Sequence, residues 1–427
     1  MLLKTSKFNL VKKKEDGIVV FNTLSGKKEY NKFDKSIVEI LSKKNRDIDS
    51  TSQDLTDLID DGIIVDSEID EFKKADEVYQ NIMSSKVLEF TIIVTDDCNF
   101  KCGYCYQENR EYIYIEDSVL NGVLNYIRQN GKKFKTVRIN WFGGEPLLGI
   151  DNIIKFMEQC NSICKSLKIS LISGMTTNGY LLSVENLKKL LSNRVFLYQI
   201  TLDGSRETHN MLRPHKENED SYDKIIENLK EISHEVNRYY EVVIRINLTK
   251  SIVNHMEEFM KDIEFMKLNK KISLNCQKMG NYGGSSIKLL MSEMINNADF
   301  IKAHDTLVNH GFRVNQQPVA QAGAGLCTAC KPNSYYIDQK GNMLKCSLAI
   351  YDTEISSLNK VGTITENGDM VIDEKMEKAW IQRDIPDKQC HSCKFYPICF
   401  NHYCPFRRLS SGKKICYGYQ KATIDSL

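Results

Sequence analysis

The sequence lacks any run of about 18 apolar residues, the length that a transmembrane helix needs, so we expect no membrane span. It also lacks an excess of charge, since 58 Lys and Arg residues nearly balance 56 Asp and Glu residues. A net charge of +2 gives no bulk electrostatic reason to bind nucleic acid or a membrane. The opening residues MLLKTSK contain no apolar segment of the secretory type. We therefore predict a cytoplasmic protein with no nucleic-acid or membrane partner.

Cysteine, in contrast, is abundant, with 14 residues in a chain of 427. The cytosol is reducing, so these cysteines are not expected to form a disulfide framework, and thiolate ligation of metal is the better explanation. The length exceeds one ordinary domain and predicts two or three.

Three of the cysteines, Cys98, Cys102 and Cys105, form a C-x3-C-x2-C run directly after the apolar stretch 90–94. Three thiolates on one loop can hold three irons of a [4Fe–4S] cube and leave the fourth iron open. Clusters that only carry electrons mostly have four protein ligands, so an open iron suggests direct binding of a substrate or cofactor. A zinc site and structural thiols are the alternatives, although zinc favours a fourth protein ligand and paired spacing.

Strand-like and helix-like patterns alternate from about residue 89 to 310, which predicts a parallel sheet wrapped by helices. The predicted strands are 90–95, 137–142, 168–174, 196–202, 241–248 and 271–276. The predicted helices are 116–130, 150–166, 183–192, 222–234 and 254–266. Function gathers at the C-terminal ends of strands in such folds, and the three cysteines follow the first strand.

Polar motifs follow other strands of this series. They are Gly143-Gly144-Glu145-Pro146 after the second strand, Thr176-Thr177-Asn178-Gly179 after the third, Thr201-Leu202-Asp203-Gly204 at the end of the fourth, and Arg245-Ile246-Asn247 in the fifth. A glycine pair allows close approach of the backbone to a ligand, and Arg245 could pair with a carboxylate. Each motif could equally serve as a turn or cap, Asp203-Gly204 above all.

The cysteine run, with Tyr104 just before its third cysteine, and the GGEP motif one strand later resemble the radical S-adenosylmethionine (SAM) family. The resemblance implies an α/β fold with a partial (β/α)6 TIM-like barrel. It also implies a [4Fe–4S] cluster that binds SAM and yields a 5′-deoxyadenosyl radical able to abstract hydrogen. The SAM-binding residues that it implies are Tyr104, Gly143, Gly144, Glu145, Pro146, Asn178, Thr201 and Arg245.

Beyond residue 320 lie eight further cysteines, enough for two cubes with four ligands each, although two zinc knuckles would also fit C-x2-C pairs. The array resembles the SPASM extension of radical SAM enzymes, which carries two auxiliary [4Fe–4S] clusters and brings the total to three. The resemblance assigns Cys327, Cys330, Cys346 and Cys404 to one cluster, and Cys390, Cys393, Cys399 and Cys416 to the other. Four residues separate Cys399 from Cys404 where the family commonly has three, so His402 is an alternative ligand. Cys160, Cys164 and Cys276 are predicted core thiols.

The front of the chain combines strand patterns at 18–21 and 27–30, a turn at Ser25-Gly26, two short helices and a strand at 63–65, followed by a charged helix within 67–86. The first helix is predicted from the helical spacing of Ile37, Ile40 and Leu41, and the second is predicted to start near Ser52. This order describes a winged-helix-like unit that resembles the leader-recognition element of enzymes that modify ribosomally made peptides. Such modules capture an extended peptide as an added strand. A structural cap is the alternative, and DNA binding is disfavoured because no dense basic patch appears.

We thus expect a recognition module at 1–88, a radical SAM barrel at 89–310 and a SPASM domain at 311–427. The resemblance covers essentially the whole chain and implies an enzyme that modifies a precursor peptide, with a thioether cross-link as the leading product. Carbon–carbon or carbon–oxygen bonds and epimerisation would use the same machinery. An electron donor such as flavodoxin or ferredoxin would supply the electrons.

Two other functions stay open at this point. One is an anaerobic sulfatase-maturating enzyme, which makes formylglycine; in that group the residue after the hairpin cysteine is typically an Asp, whereas here it is Ser347. Neighbouring Asp352 is a candidate general base. The other is a non-catalytic metal-binding scaffold.

Overall fold

A computed structural model describes residues 2–14, 17–31, 41, 55–107, 110–217, 220–280, 286–315, 322–323, 325–351, 356–402 and 404–412. The strands are β1 Leu3–Thr5, β2 Asn9–Lys14, β3 Gly17–Asn22, β4 Lys28–Asn31, β5 Ile64–Asp66, β6 Val87–Thr95, β7 Thr136–Gly143, β8 Ser170–Thr177, β9 Leu197–Thr201, β10 Glu241–Leu248, β11 Ile272–Lys278, β12 Ser334–Ile337, β13 Asn342–Leu344, β14 Lys360–Ile364 and β15 Met370–Ile372. The α-helices are α1 Thr56–Asp60, α2 Glu71–Met83, α3 Asp117–Asn130, α4 Ile150–Leu167, α5 Val184–Ser192, α6 Arg206–Leu212, α7 Ser221–Glu235, α8 Lys250–Asn254, α9 Met256–Asp262, α10 Asn297–Asn309, α11 Ser356–Asn359, α12 Glu374–Ile381, α13 Lys388–His391, α14 Tyr396–Cys399 and α15 Pro405–Ser411. Short 3-10 helices lie at Gly131–Lys133, Pro146–Gly149, Glu264–Leu268, Ser286–Glu293, Thr328–Cys330 and Ser347–Ala349.

The chain divides into two compact units. The barrel unit comprises Lys86–Gln316 and Asn333–Lys378. The front-and-tail unit comprises Met1–Ser85, Gln317–Pro332 and Ala379–Leu427. Each unit is therefore built from segments that are far apart in the sequence.

The barrel unit contains one ten-stranded sheet. Its strands follow the order β11-β10-β9-β8-β7-β6-β12-β13-β14-β15. Neighbouring strands from β6 to β11 are parallel, and β12 adds a further parallel strand beside β6. The hairpin β12–β13 and the strands β14 and β15 continue the sheet in antiparallel pairing. The expected α/β fold with six consecutive β/α repeats is confirmed.

The six parallel strands form where local apolar patterns predict them, and these patterns are of two kinds. Strand β6 is a nearly continuous apolar run in which seven of nine residues are buried, as expected for a strand covered on both faces. Strand β7 instead alternates buried and half-buried residues. The amphipathic helices between the strands also match the prediction, except at 254–266. There, the chain leaves helical geometry at His255 (φ −107°, ψ 24°), so α8 and α9 are separate helices.

The front-and-tail unit holds the antiparallel sheet β2-β3-β4 and the antiparallel pair β1–β5. The predicted hairpin at Ser25-Gly26 is confirmed, with Gly26 at φ +74° where a side chain would be strained. The second predicted helix is α1, and the charged helix is α2. Of the first predicted helix only Leu41 is described, as a buried helical residue; Ile37 and Ile40 lie outside the described residues.

Helix α2 packs within this unit against the cysteine-rich tail. Tyr79 and Ala75 of α2 share an apolar core with Cys390, Tyr396 and Phe400. Near the other end of the helix, the ring of Phe72 stacks on those of Tyr396 and His391, with centroids 4.2 and 4.0 Å away. The front strands reach the same region, because the Lys394 ammonium donates to the Asn9 carbonyl over 2.7 Å. The front of the chain and the tail thus share one core.

In the part of the chain that the structure describes, no helix combines the length and the apolar character needed to cross a membrane.

Candidate functional site

The cluster loop, residues 97–105, follows the C-terminal end of β6 and lies beside the GGEP turn at the end of β7. The Gly144 and Glu145 amides donate to the carbonyls of Thr95 and Asp97 over 2.9 and 2.8 Å. A Cβ atom on Gly144 would lie 2.0 Å from the Asp97 carbonyl oxygen, and one on Gly143 2.1 Å from that of Thr95. The glycine pair is therefore required for the two loops to meet, whatever ligand binds there.

Glu145 is fully buried and binds three donors of its own chain. Its carboxylate accepts hydrogen bonds from the Leu147 amide over 3.0 Å, the Thr177 hydroxyl over 2.7 Å and the Asn178 amide over 2.7 Å. Burial raises the pKa of this carboxyl, and the three donors oppose that rise. Glu145 thus ties the turn after β7 to the end of β8, and Pro146 opens the following 3-10 helix. Contact of either residue with SAM stays a prediction.

Asn178, directly after β8, connects the C-terminal end of that strand to the cluster loop. Its side-chain amide donates to Asn99 Oδ1 over 2.7 Å and lies 4.0 Å from Cys98 Sγ. Within the described part of the chain, the buried Nδ2 atom of Asn99 has no hydrogen-bond partner, so the loop holds one donor that the described residues leave unsatisfied. The structure therefore brings Cys98, Asn178 and Glu145 together as expected for one site.

Tyr104 belongs to a buried polar network with Asp203 and Arg213. Its hydroxyl donates to the Asp203 carboxylate and accepts a hydrogen bond from the Arg213 guanidinium. The other Asp203 oxygen accepts hydrogen bonds from the Asn247 backbone and side-chain amides over 2.8 and 3.2 Å. Asp203 is fully buried, and its Oδ2 atom lies 4.0 Å from Nη1 of the Arg213 guanidinium. The network joins the cluster loop to the ends of β9 and β10.

Thr201 and Arg245 are cross-strand neighbours on β9 and β10. Both are half-buried, and Arg245 Nε donates to Asn247 Oδ1 over 2.9 Å. The two predicted SAM contacts therefore lie side by side and reach the Tyr104 network through Asn247. Their roles toward SAM stay predictions.

The electrostatic surroundings of the three thiols suit iron ligation. Burial raises the pKa of Cys98 and raises that of Cys102 to about 12, so unliganded thiols there would stay protonated. A metal ion deprotonates a thiol that coordinates it. Two guanidinium groups also face the loop. Arg110 contacts Cys105 Sγ at 2.9 Å, and Arg213 lowers the cost of charge on Cys102. The donor set and its cations fit a cluster bound through thiolates.

Among the residues that the structure describes, no three His, Cys, Asp or Glu side chains are placed to hold a single metal ion. A zinc site needs ligands that converge within about 2.3 Å of one point.

Six of the eight tail cysteines lie in the described part of the front-and-tail unit: Cys327, Cys330, Cys390, Cys393, Cys399 and Cys404. The two C-x2-C pairs form tight turns, in which the Cys330 amide donates to the Cys327 carbonyl over 3.0 Å and the Cys393 amide to the Cys390 carbonyl over 3.1 Å. Cys346 follows β13 in the barrel unit. Cys416 and Asp352 lie outside the described residues.

His402, the alternative tail ligand, is fully buried. Its Nε2 atom is hydrogen-bonded to the Tyr79 hydroxyl over 2.8 Å, whereas none of the described residues is a partner of Nδ1. Burial lowers the pKa of His402 to about 4, so the ring is neutral. The predicted core thiols Cys160, Cys164 and Cys276 are confirmed as buried.

Sequence reasoning missed Arg110 and Arg213, and for Asp203 it left open a polar strand-end motif or a simple turn. Gly204 does form a turn, at φ +80°, but the Asp203 side chain before it is the centre of the buried network. The position of Asp203 at the end of the fourth parallel strand was a usable signal. Nothing in the local pattern around Arg110 or Arg213 marks either residue.

Residues 92–263 match the model of the radical SAM superfamily. Together with the parallel sheet and the cysteine loop at its edge, this match shows that residues 92–263 form a radical SAM domain.

Three known proteins are similar to most of the chain, one in sequence and two in fold. The cysteine-type anaerobic sulfatase-maturating enzyme of Clostridium novyi is 23% identical over 343 residues, which cover 71% of this chain and 84% of the relative. SuiB of Streptococcus suis, solved with its precursor peptide SuiA, is similar in fold with a TM-score of 0.56 and 16% identity, covering 97% of this chain and 98% of SuiB. The structure of anSMEcpe with bound AdoMet and the Kp18Cys peptide has a TM-score of 0.60 and 17% identity, covering 80% of this chain and 96% of that protein.

Proposed function

We propose that this protein is a peptide maturase that uses SAM to cross-link a ribosomally made precursor peptide, with a thioether bond as the leading product. The observation that carries the proposal is the likeness in fold to peptide-bound SuiB along 97% of this chain, which includes the front module. A radical SAM domain alone would not require that module. The proposed setting is the cytoplasm.

The residues at the strand ends would hold the reactants. Cys98, Cys102 and Cys105 would hold a [4Fe–4S] cluster, which together with SAM supplies a radical able to abstract hydrogen from a C–H bond. We assign SAM binding to Tyr104, Asn178, Thr201, Arg245 and the GGEP turn. Asp203 and Arg213 would keep Tyr104 in place beside the cluster loop.

The front sheet β2-β3-β4 would bind the leader of the peptide by pairing with it as an added strand. Such pairing uses backbone groups and needs no dense charge, in agreement with the nearly neutral composition of the chain. The common core of front module and tail means that removal of residues 1–85 would also strip Tyr79 and Phe72 from that core. Tests of leader binding are therefore best made by changing the peptide.

We assign two auxiliary [4Fe–4S] clusters to the eight tail cysteines, which gives three clusters per chain. They would accept the electron that remains after bond formation, and an external donor such as flavodoxin or ferredoxin would supply the electron that starts the reaction. The non-catalytic scaffold is no longer needed as an alternative, because the chain carries a radical SAM domain.

The second auxiliary cluster makes a direct prediction. Replacing Cys390 and Cys393 together with Ala should lower the iron content of anaerobically purified protein by about four atoms per chain, because each cube holds four irons. Iron and sulfide analysis beside far-UV circular dichroism checks this. The matched control is the pair Cys160→Ala and Cys164→Ala, buried thiols of α4, which should keep full iron. Full iron in the Cys390/Cys393 variant would remove the second auxiliary cluster from the proposal.

Formylglycine formation is the second candidate. It is favoured by the similarity to sulfatase-maturating enzymes, which extends over 71% of this chain. Ser347 follows the hairpin cysteine in place of the Asp expected of that group, and Asp352 stays a proposed base. The two reactions differ in the fate of the cysteine sulfur of the substrate. A thioether keeps the cysteine sulfur in the peptide, whereas formylglycine formation from cysteine removes it.

The decisive experiment uses the product of any short Cys-containing reading frame beside this gene. Incubation with the full-length enzyme, SAM and dithionite without oxygen should give a peptide lighter by two hydrogen atoms and still containing its sulfur. As the C–S bond forms, the peptide loses one hydrogen atom from a C–H bond, the proton of the thiol and one electron. High-resolution mass spectrometry with fragmentation locates that bond.

Two further peptides complete the experiment. The same peptide without its leader should bind about tenfold or more weakly, and a sulfatase-type cysteine peptide should be unchanged. Formylglycine in the sulfatase-type peptide, with no change in the neighbouring one, would replace the proposed function by the second candidate.

A further inference from the structure

Arg110 contacts a cysteine of the cluster loop directly. Its terminal nitrogen donates to Cys105 Sγ over 2.9 Å. The guanidinium is half-buried and always charged, so this is a charge-assisted bond in partly desolvated surroundings.

The guanidinium of Arg110 is held in place by a second bond. Its Nε atom donates to the Gln107 carbonyl over 2.7 Å. The Gln107 side chain in turn donates to the Gly143 carbonyl over 3.0 Å, so the segment is anchored to the turn after β7. Arg110 therefore presents a fixed donor to Cys105 instead of sampling many rotamers in solvent.

The other charged and titratable groups around Arg110 are Cys98, Asp97 and Tyr351. Asp97 has its own cation, because Lys216 lies 2.9 Å from its carboxylate. Burial raises the pKa of Tyr351 above its usual value, so that side chain is neutral at neutral pH. The charge of Arg110 is therefore directed mainly at the thiolates of the loop.

We propose that Arg110 is a positioning residue that acts through Cys105 and raises the reduction potential of the cluster held by the triad. Hydrogen bonds to the sulfur ligands and local charge are among the factors that set the potential of an iron–sulfur cluster. In the reduction step the cluster gains one electron from a low-potential donor, and no bond forms or breaks. A cation beside Cys105 stabilises the reduced state more than the oxidised state, because the reduced state carries one more negative charge. This inference rests on the proposed assignment of the triad to a cluster.

The test is a redox titration of the full-length, iron-loaded protein without peptide, followed by electron paramagnetic resonance. The signal of the triad cluster is identified by its change when SAM is added, since SAM binds only at an open iron. Arg110→Met should lower the equilibrium constant for reduction about tenfold, a midpoint about 59 mV more negative for a one-electron couple. Arg110→Gln, which is also neutral, should shift the midpoint in the same direction.

Arg128→Met is the matched control. Arg128 is exposed on α3 and bonds only to Asn125 among the contacts described for it, so the same charge change should leave the midpoint unchanged. Wild-type midpoints in both iron-loaded Arg110 variants would overturn the proposal. If Arg110→Met bound less iron than the wild type, the Arg110→Gln midpoint would decide.

Failure of the inference can be told apart from failure of the proposed function. A wild-type protein without a SAM-sensitive cluster signal would remove the proposed function itself. A normal wild-type signal with unshifted Arg110 variants would remove only the role of Arg110.

Discussion

Replacing Cys98, Cys102 and Cys105 with Ala should reduce the formation of 5′-deoxyadenosine from SAM to background and lower the iron content by about four atoms per chain. The physical reason is that the three thiolates are the proposed protein ligands of the cluster, so their loss removes every protein bond to it. Liquid chromatography of acid-quenched reactions measures deoxyadenosine, and colorimetric analysis measures iron.

The control for that experiment is Cys276→Ala. Cys276 lies on β11 of the same sheet and is fully buried, so its loss tests the effect of removing a core thiol without touching the cluster loop. The variant should keep its iron and its SAM cleavage. SAM cleavage by the triple variant at the wild-type rate would refute the assignment of the triad.

Replacing Arg213 with Met should destabilise the barrel unit by about 3–5 kcal/mol, the range found when one partner of a buried ion pair is removed. Arg213 is 8% exposed, and Asp203 beside it is fully buried. Burial already raises the pKa of Asp203, and Arg213 opposes that rise, so without the guanidinium the carboxyl would be buried uncompensated. The Tyr104 hydroxyl would lose its donor at the same time.

Urea denaturation measures this effect if the signal comes from the barrel alone. The chain has two tryptophans, of which Trp141 is buried in β7 and Trp380 belongs to the other unit. A Trp380→Phe background therefore makes the fluorescence of Trp141 report on the barrel. Arg206→Met is the matched control, because Arg206 forms an exposed ion pair with Asp220 and exposed pairs contribute little. A loss of stability no larger than that of the control would show that the network does not hold the site together.

The proposals about Arg110 and Arg213 concern the same loop from two sides. Arg213 would set the structure of the site through Tyr104 and Asp203, and Arg110 would set the energy of the electron on the cluster. Loss of Arg213 should lower the free energy of unfolding, and loss of Arg110 should lower the midpoint potential, so the two roles can be measured separately.

Much of the fold is already visible in local patterns. The six parallel strands begin and end within three residues of their predicted positions, because a short apolar pattern, continuous in β6 and alternating in β7, needs no information from distant residues. The same holds for the triad and the glycine pair. Each lies within eight residues of sequence and directly after a strand, so the rule that function gathers at strand ends places both motifs at one edge of the sheet.

The contacts that complete the site are different in kind. Tyr104, Asp203 and Arg213 form one network although about a hundred residues separate the first from the other two, and no periodicity or spacing links them. Which buried charges pair depends on where folding places them, because desolvation makes an isolated charge costly and a paired one tolerable. The same reasoning applies to the front module and the tail. The sequence shows strand and helix patterns in the front module and a cysteine array in the tail, but the tertiary structure alone reveals that Tyr79 and Cys390 share one core. Burial depends on proximity in space and not on order along the chain.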